Sequence, residues 1–281
     1  MSESSQNYRD LATPFFREVF ELIDDALKNR GIPYYLIGVS AIALEMLKKG
    51  IKPARGTKDI DFAIMISSLD QFEEVVNDLE KEGFNKVEAP WTMVHPEYDV
   101  VVDLLPFGEI EENNAVGFNE RYTDLHVLGF KEVMKDSREY EIEDRVVHVP
   151  PIPGMVILKF VAWSDRPEDR GNDPYDILRV IEYYNDLEFD ANMQEHFDLI
   201  PEDDEFDDRM FSARILGRNA KTYLDESEDL EIRIFEVLEA NTANVEESPI
   251  AKSWAMKKGW NLEYCVALLK EFKAGLSEDK P

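Results

Sequence analysis

Gly56-Thr57-Lys58-Asp59-Ile60-Asp61-Phe62-Ala63-Ile64 is the stretch on which the reading of this chain turns. Side chains on a strand alternate with a period of two, so Asp59 and Asp61 share one face while Ile60, Phe62 and Ile64 take the other. Two carboxylates on one face repel each other, and a strand has no reason to carry them unless a cation sits between. Asp61, Ala63 and Met65 continue that face, polar at its mouth and apolar inward. The acidic pair is thus expected at the start of a strand, on the rim of a cleft.

The flanking sequence supplies the neighbours. Phe15 to Leu27 has helical spacing and is closed by Gly31. Pro33-Tyr34-Tyr35-Leu36-Ile37 reads as a first strand, Gly38 as a tight turn, and Ser40 to Leu47 as a helix. The second strand spans Asp59 to Ile66, followed by a helix from Leu69 to Glu82 that ends at Gly83. Tyr98 to Pro106 is a third strand, carrying Asp103 within an apolar run; Asp124–Leu128 and Arg145–Val149 are further short strands. Pro150-Pro151-Ile152-Pro153 is the natural hinge. Beyond it the pattern is helical: Met155 to Trp163, Pro174 to Asp186, Asp207 to Asp225, Leu230 to Leu238 and Leu262 to Phe272. The expected fold class is α+β, a mixed sheet flanked by helices and followed by a helical region, with domains at 1–152 and 153–281.

Asp59, Asp61 and Asp103 place three carboxylates on two neighbouring strands. Magnesium takes oxygen ligands, a few carboxylates together with substrate phosphate. Two such ions can activate an attacking hydroxyl and stabilise a leaving pyrophosphate. Gly38-Val39-Ser40 at a helix start offers what a triphosphate needs: exposed N–H groups, a hydroxyl and a favourable dipole. A lone Gly-x-Ser is a weak signal, but Asp-x-Asp some nineteen residues on strengthens it.

Together Gly38-Val39-Ser40, Arg55-Gly56-Thr57-Lys58-Asp59-Ile60-Asp61 and Asp103-Leu104-Leu105-Pro106 resemble the nucleotidyltransferase fold shared with DNA polymerase β. Within that superfamily the chain most resembles the AbiEii-like nucleotidyltransferases, toxins of bacterial abortive-infection and toxin–antitoxin systems. The later motifs match at Lys159 and at Arg170-Gly171-Asn172-Asp173-Pro174-Tyr175-Asp176, so the similarity spans roughly residues 30 to 185. The resemblance implies that Asp59, Asp61 and Asp103 bind Mg²⁺ or Mn²⁺, and that Asp103 helps activate the acceptor hydroxyl. It further implies that Gly38 and Ser40 hold the β- and γ-phosphates and that Lys159 adds charge to the triphosphate. Arg55 would contact phosphate or acceptor; Asp173 and Asp176 would orient Lys159 or bind the nucleotide. For Arg55, Asp173 and Asp176 a salt bridge or helix cap is an equal reading. By the same resemblance the substrate is a nucleoside triphosphate, the acceptor a tRNA 3′ end or a protein, and a cognate antitoxin a partner. A small-molecule acceptor such as an aminoglycoside, and a catalytically quiet binding protein, are the alternatives. Val39 stands where the family has a second glycine, and Arg166 to Asp173 is longer and looser than the family's arginine–aspartate motif.

Composition limits the rest. A hydrophobic content of 44% over 281 residues supports a substantial core. The net charge of −29 repels nucleic acid and anionic membrane over most of the surface. An RNA acceptor therefore needs a local basic rim, for which Lys48, Lys49, Lys52, Arg55 and Lys58 are the candidates. The run Glu202 to Asp208 reads as a solvated loop or helix start. The single cysteine, Cys265, excludes an internal disulfide framework and reads as a buried helix residue. His95, His126, His148 and His196 are dispersed, and no Gly-x-Ser-x-Gly elbow or Gly-Lys-Ser/Thr phosphate loop is present. The N-terminus has no basic region followed by an apolar run, and no stretch reaches the ~20 apolar residues of a membrane span. A cytoplasmic protein is expected, with no membrane partner.

Overall fold

The computed structural model describes residues 11, 13, 15–53, 56–118, 123–200 and 206–278. It is α+β, and the chain divides into two compact units at Pro151/Ile152. The first unit runs α1 (Phe16–Lys28), β1 (Tyr34–Ile37), α2 (Gly38–Leu47), β2 (Asp59–Ile66), α3 (Leu69–Lys81), β3 (Asn85–Lys86) and β4 (Thr92–His95). It continues through β5 (Val100–Gly108), β6 (Ala115–Phe118), β7 (Thr123–His126), α4 (Phe130–Met134), β8 (Arg138–Ile142) and β9 (Arg145–Val149).

Seven of these strands form a mixed sheet in the order β3-β4-β5-β2-β1-β9-β8, with β6 and β7 a separate hairpin. Strand β2 runs antiparallel to β1 and parallel to β5, so the acidic strand lies at the middle of the sheet. One face of β2 is buried throughout, at Ile60, Phe62, Ile64 and Ile66. Phe20 of α1 and Tyr34 meet the Phe62 ring at centroid distances of 6.5 Å and 6.0 Å, within the favourable aromatic range. The opposite face carries the acidic residues. There Ala63 is buried, but Met65 is 39% exposed, so the face does not become steadily more apolar inward.

Gly31 stops α1 as expected. At φ +65° it lets Ile32 N–H reach the Leu27 carbonyl at 3.0 Å while its own N–H bonds Lys28. Gly83 ends α3 with the same pair of bonds. The third expected strand is β5, and it begins at Val100 rather than Tyr98, because Asp99 adopts φ +51° and turns the chain there.

The second unit consists of α5 (Ile152–Asp165), α6 (Asp173–Leu187), α7 (Phe189–Glu195), α8 (Asp208–Leu224), α9 (Glu228–Thr242), α10 (Pro249–Lys258) and α11 (Leu262–Leu276). Asp207, Ser227, Ser248 and Asn261 cap α8, α9, α10 and α11, each side chain accepting a backbone N–H of the first turn. Helices α8 and α11 cross with almost no space between their backbones. A Cβ at Gly217 would lie 2.2 Å from the Phe272 carbonyl oxygen, and one at Gly275 would lie 2.1 Å from that of Arg214. Trp254 and the Phe160–Phe272 stack, 5.3 Å apart, fill the core. Cys265 is fully buried, and burial pushes its thiol up to about 11, so it behaves as a packing residue. Among the described residues no helix is long and apolar enough to cross a membrane.

Candidate active site

Three of the expected residues share one face of the sheet near its middle. Asp61 of β2 lies opposite Asp103 of β5, and Ile37 of β1 lies opposite Asp61 on its other side. In-register residues of neighbouring strands are about 4.8 Å apart and face the same way. Asp59 sits two residues earlier on that face, exposed, whereas Asp61 and Asp103 are half-buried. At a separation of ~5 Å and an effective dielectric near 20, two carboxylates repel by about 3 kcal/mol. A sheet centre holds such a pair only at a cost to its stability.

Helix α2 explains part of how they are accommodated. It starts directly after β1, and its first residue, Gly38, has φ +67°. A Cβ built there would stand 2.1 Å from Asp61 Oδ2 and 2.9 Å from its Cγ. Only bare backbone fits between the helix start and the carboxylate, and the positive end of the helix dipole lies next to the negative charge. Two residues on, Ser40 is 1% exposed and its Oγ has no hydrogen-bond partner. A buried hydroxyl left unsatisfied in the first turn of a helix is costly, and an oxygen-rich group at that turn would remove the cost.

Asp103 is positioned by a residue that sequence reading missed. Thr92 of β4 lies in register with it and donates its Oγ1 hydrogen to Asp103 Oδ1 at 2.5 Å. The alternation in Trp91-Thr92-Met93-Val94-His95 was the available signal, but the strand is only four residues long. Thr57 braces the other end of the site, its Oγ1 accepting the Asp59 N–H at 3.1 Å.

With Asp61 tucked against Gly38, Asp103 turned to Thr92 and Asp59 open to solvent, the carboxylates are spread along the face. Among the described residues no group of three or more His, Cys, Asp or Glu side chains is arranged to hold a metal ion. The residue types and their register still suit a hard cation: carboxylate oxygens on one face beside a helix N-terminus.

The remaining candidates lie on other elements or outside the described residues. Lys159 lies in α5, buried, and its Nζ donates to Asp173 Oδ1 at 2.8 Å and Asp176 Oδ2 at 2.9 Å. Burial alone would lower the pKa of this ammonium, but the two carboxylates outweigh it and push it up to about 12. Asp173 keeps its second oxygen, Oδ2, buried and without a hydrogen-bond partner. Arg55 lies outside the described residues. Within the expected basic rim, Lys58 is ion-paired with Asp99, and Lys48 stands over the Tyr140 ring at 3.7 Å with Glu45 at 3.6 Å. At least two of the five charges are therefore already engaged.

No protein-family model matches the sequence, and no curated protein matches it. Among solved structures the chain is similar to the antibiotic-resistance factor ANT(2″)-Ia, at 13% identity over 78% of this chain and 89% of that one, with a TM-score of 0.37. It is also similar to an antigenic nucleotidyltransferase-like protein from Paracoccidioides brasiliensis, at 15% identity over 79% and 94%, TM-score 0.39. A third is the Thermotoga maritima CCA-adding enzyme solved with tRNA, at 14% identity over 96% and 65%, TM-score 0.33. At such scores the likenesses carry no weight of their own, and the function rests on the residues of the site.

Proposed function

We propose that this chain is a metal-dependent nucleotidyltransferase that moves a nucleoside monophosphate from a nucleoside triphosphate to an acceptor hydroxyl and releases pyrophosphate. The observation that carries this reading is the in-register Asp61–Asp103 pair, with Asp59 on the same face and the bare Gly38 backbone against Asp61. Asp59, Asp61 and Asp103 would hold Mg²⁺ or Mn²⁺, whose charge polarises the reacting phosphate and offsets that of the departing pyrophosphate. Gly38 N–H and the unsatisfied Ser40 hydroxyl hold the β- and γ-phosphates. Asp103, fixed in orientation by Thr92, receives the hydrogen bond of the acceptor hydroxyl and aligns it for attack. The family resemblance assigns Lys159 to the triphosphate and Arg55 to phosphate or acceptor. The pairing of Lys159 with both Asp173 and Asp176 favours an orienting role for those carboxylates over direct nucleotide binding.

For the acceptor, the resemblance to AbiEii-like toxins favours a tRNA 3′ end or a protein, with a cognate antitoxin as partner. A second reading, a polycationic small molecule such as an aminoglycoside, is favoured by the net charge of −29 and by the engaged Lys48 and Lys58. Incorporation from each of four α-³²P-labelled triphosphates into total RNA, total protein and aminoglycosides, with Mg²⁺, tests both. Label that appears in one acceptor class and disappears in Asp59→Ala/Asp61→Ala supports the proposal. Label in none of the three counts against it. Expression in a sensitive host separates the two acceptors, since protection from the drug marks modification and growth arrest marks a toxin.

A further inference from the structure

Between Arg179 and Arg209 the chain has no lysine or arginine and twelve aspartates and glutamates. In the same stretch four large apolar side chains face solvent: Phe189 at 51% exposure, Phe197 at 66%, Ile200 at 37% and Phe206 at 43%. Chain connectivity alone does not account for that combination. An acidic solvated loop has no use for exposed phenylalanines, which cost free energy in water, and a segment that only packs against its own unit would bury them.

The described parts of this stretch, residues 180–200 and 206–208, are held by hydrogen bonds. Asn192 Nδ2 donates to the Tyr184 carbonyl at 3.3 Å, and Asn185 Nδ2 donates to Asp208 Oδ1 at 2.8 Å. Asn192 and Asp208 are thus both tied to the C-terminal turn of α6. In its middle, Asp198 takes two hydrogen bonds from Arg218 of α8, at 2.9 Å and 2.7 Å, next to the fully buried His196. With its polar anchors turned inward, the stretch presents its phenylalanines outward among Asp186, Glu188, Asp190 and Glu195, all exposed.

We propose that this acidic, aromatic surface docks a cationic segment of another protein, one that carries lysines or arginines interspersed with apolar side chains. Charge selects the class of partner. Nucleic acid and anionic lipid are repelled by the same carboxylates, while a basic peptide is attracted by them. The exposed rings supply what charge alone does not, desolvated contact area and faces for cation–π contact. This inference uses no residue of the catalytic proposal and stands apart from it.

Fluorescence anisotropy of the full chain with three labelled synthetic peptides tests it. The first alternates Lys with Leu and Phe, the second is an oligolysine of equal charge, and the third replaces Lys by Glu. The first is expected to bind, more weakly as salt is raised, with the oligolysine at least about tenfold weaker and the Glu peptide not binding. Phe189→Ser/Phe197→Ser is expected to weaken the first peptide by about tenfold with an unchanged melting temperature. Should that pair lower the melting temperature, Ile200→Ser alone is expected to weaken binding in the same direction. Equal affinity for the oligolysine, or unchanged affinity in the folded variants, would overturn the proposal.

Discussion

Asp61 and Asp103 stand side by side on adjacent strands, and the energetics of that pairing separate function from scaffold at a single residue. A pair retained for stability would weaken the fold when broken; a pair retained for chemistry should do the reverse. Asp103→Asn keeps an acceptor for the Thr92 hydroxyl and removes one of two adjoining charges. It is expected to raise the unfolding free energy by about 1 kcal/mol while lowering nucleotidyl transfer at least about a hundredfold. Denaturant titration and the transfer assay on the same preparation check both halves. Gly38→Ala addresses the other side of Asp61. Its methyl group would need the space of Asp61 Oδ2, 2.1 Å away, at a φ of +67°. A loss of about 2 kcal/mol in stability and of most activity is expected. The acidic strand was legible in sequence because period-two alternation is a strong local signal, and it lent weight to the weak Gly38-Val39-Ser40 signal before it. Thr92 was not legible, because a partner across a sheet is set by register, which no local pattern states.

At the scale of elements, sequence periodicity found the long segments and only some of the short ones. Strand β2 and strand β9 emerge with the expected bounds, and α2 and α3 within two residues of them. Strands β3, β4, β6 and β8 escaped, having only two to five residues in which to show an alternation. Helix α10 escaped because its buried face consists of Ile250, Ala251 and Trp254 amid lysines. The crossing of α8 and α11 was likewise invisible, since Gly217 and Gly275 lie 58 residues apart and only contact reveals their use. Gly217→Ala is expected to destabilise by more than about 2 kcal/mol, despite alanine's higher helix propensity, because its Cβ would meet a rigid carbonyl at 2.2 Å. The Lys159 pairing is testable by pH. With its pKa pushed up to about 12 from 10.5, its contribution is fully present below pH 10.5 and is lost as pH rises toward 12. Lys159→Met is expected to remove that alkaline transition. It should also cost about 3–5 kcal/mol at neutral pH, since Asp173 and Asp176 lose their shared counter-charge in a buried position.

The whole molecule is governed by its charge. A net −29 spread over 281 residues repels itself, and screening relieves that repulsion. Added salt is therefore expected to raise the melting temperature, where a protein dominated by attractive surface pairs would show a fall. Acid acts in two opposing ways. Protonation relieves the surface, but it also removes Asp24, which is 1% exposed and hydrogen-bonded to Tyr34, Lys28 and Arg145. Burial would raise that carboxyl's pKa, yet the three partners outweigh it and hold it below 3.8. The stability it supplies is present above pH 3.8 and lost as pH falls below that value, so Asp24→Asn should unfold less steeply in strong acid. The charge was fully legible in sequence. Its division of labour was not, because the same residue type stands in the candidate site, caps a helix at Asp207 and anchors a buried cluster at Asp24.

The central claim is that the Asp59, Asp61 and Asp103 face, with Gly38 and Ser40, binds a metal–triphosphate complex. Calorimetric titration with non-hydrolysable analogues of the four nucleoside triphosphates tests it without requiring the acceptor to be known. The wild-type chain is expected to bind at least one analogue in the presence of Mg²⁺ or Mn²⁺ and not in their absence. Asp59→Ala/Asp61→Ala, folded with an equal or higher melting temperature, is expected to lose that binding. Failure of the wild type to bind any of the four with either metal, or undiminished binding by the double variant, would contradict the account.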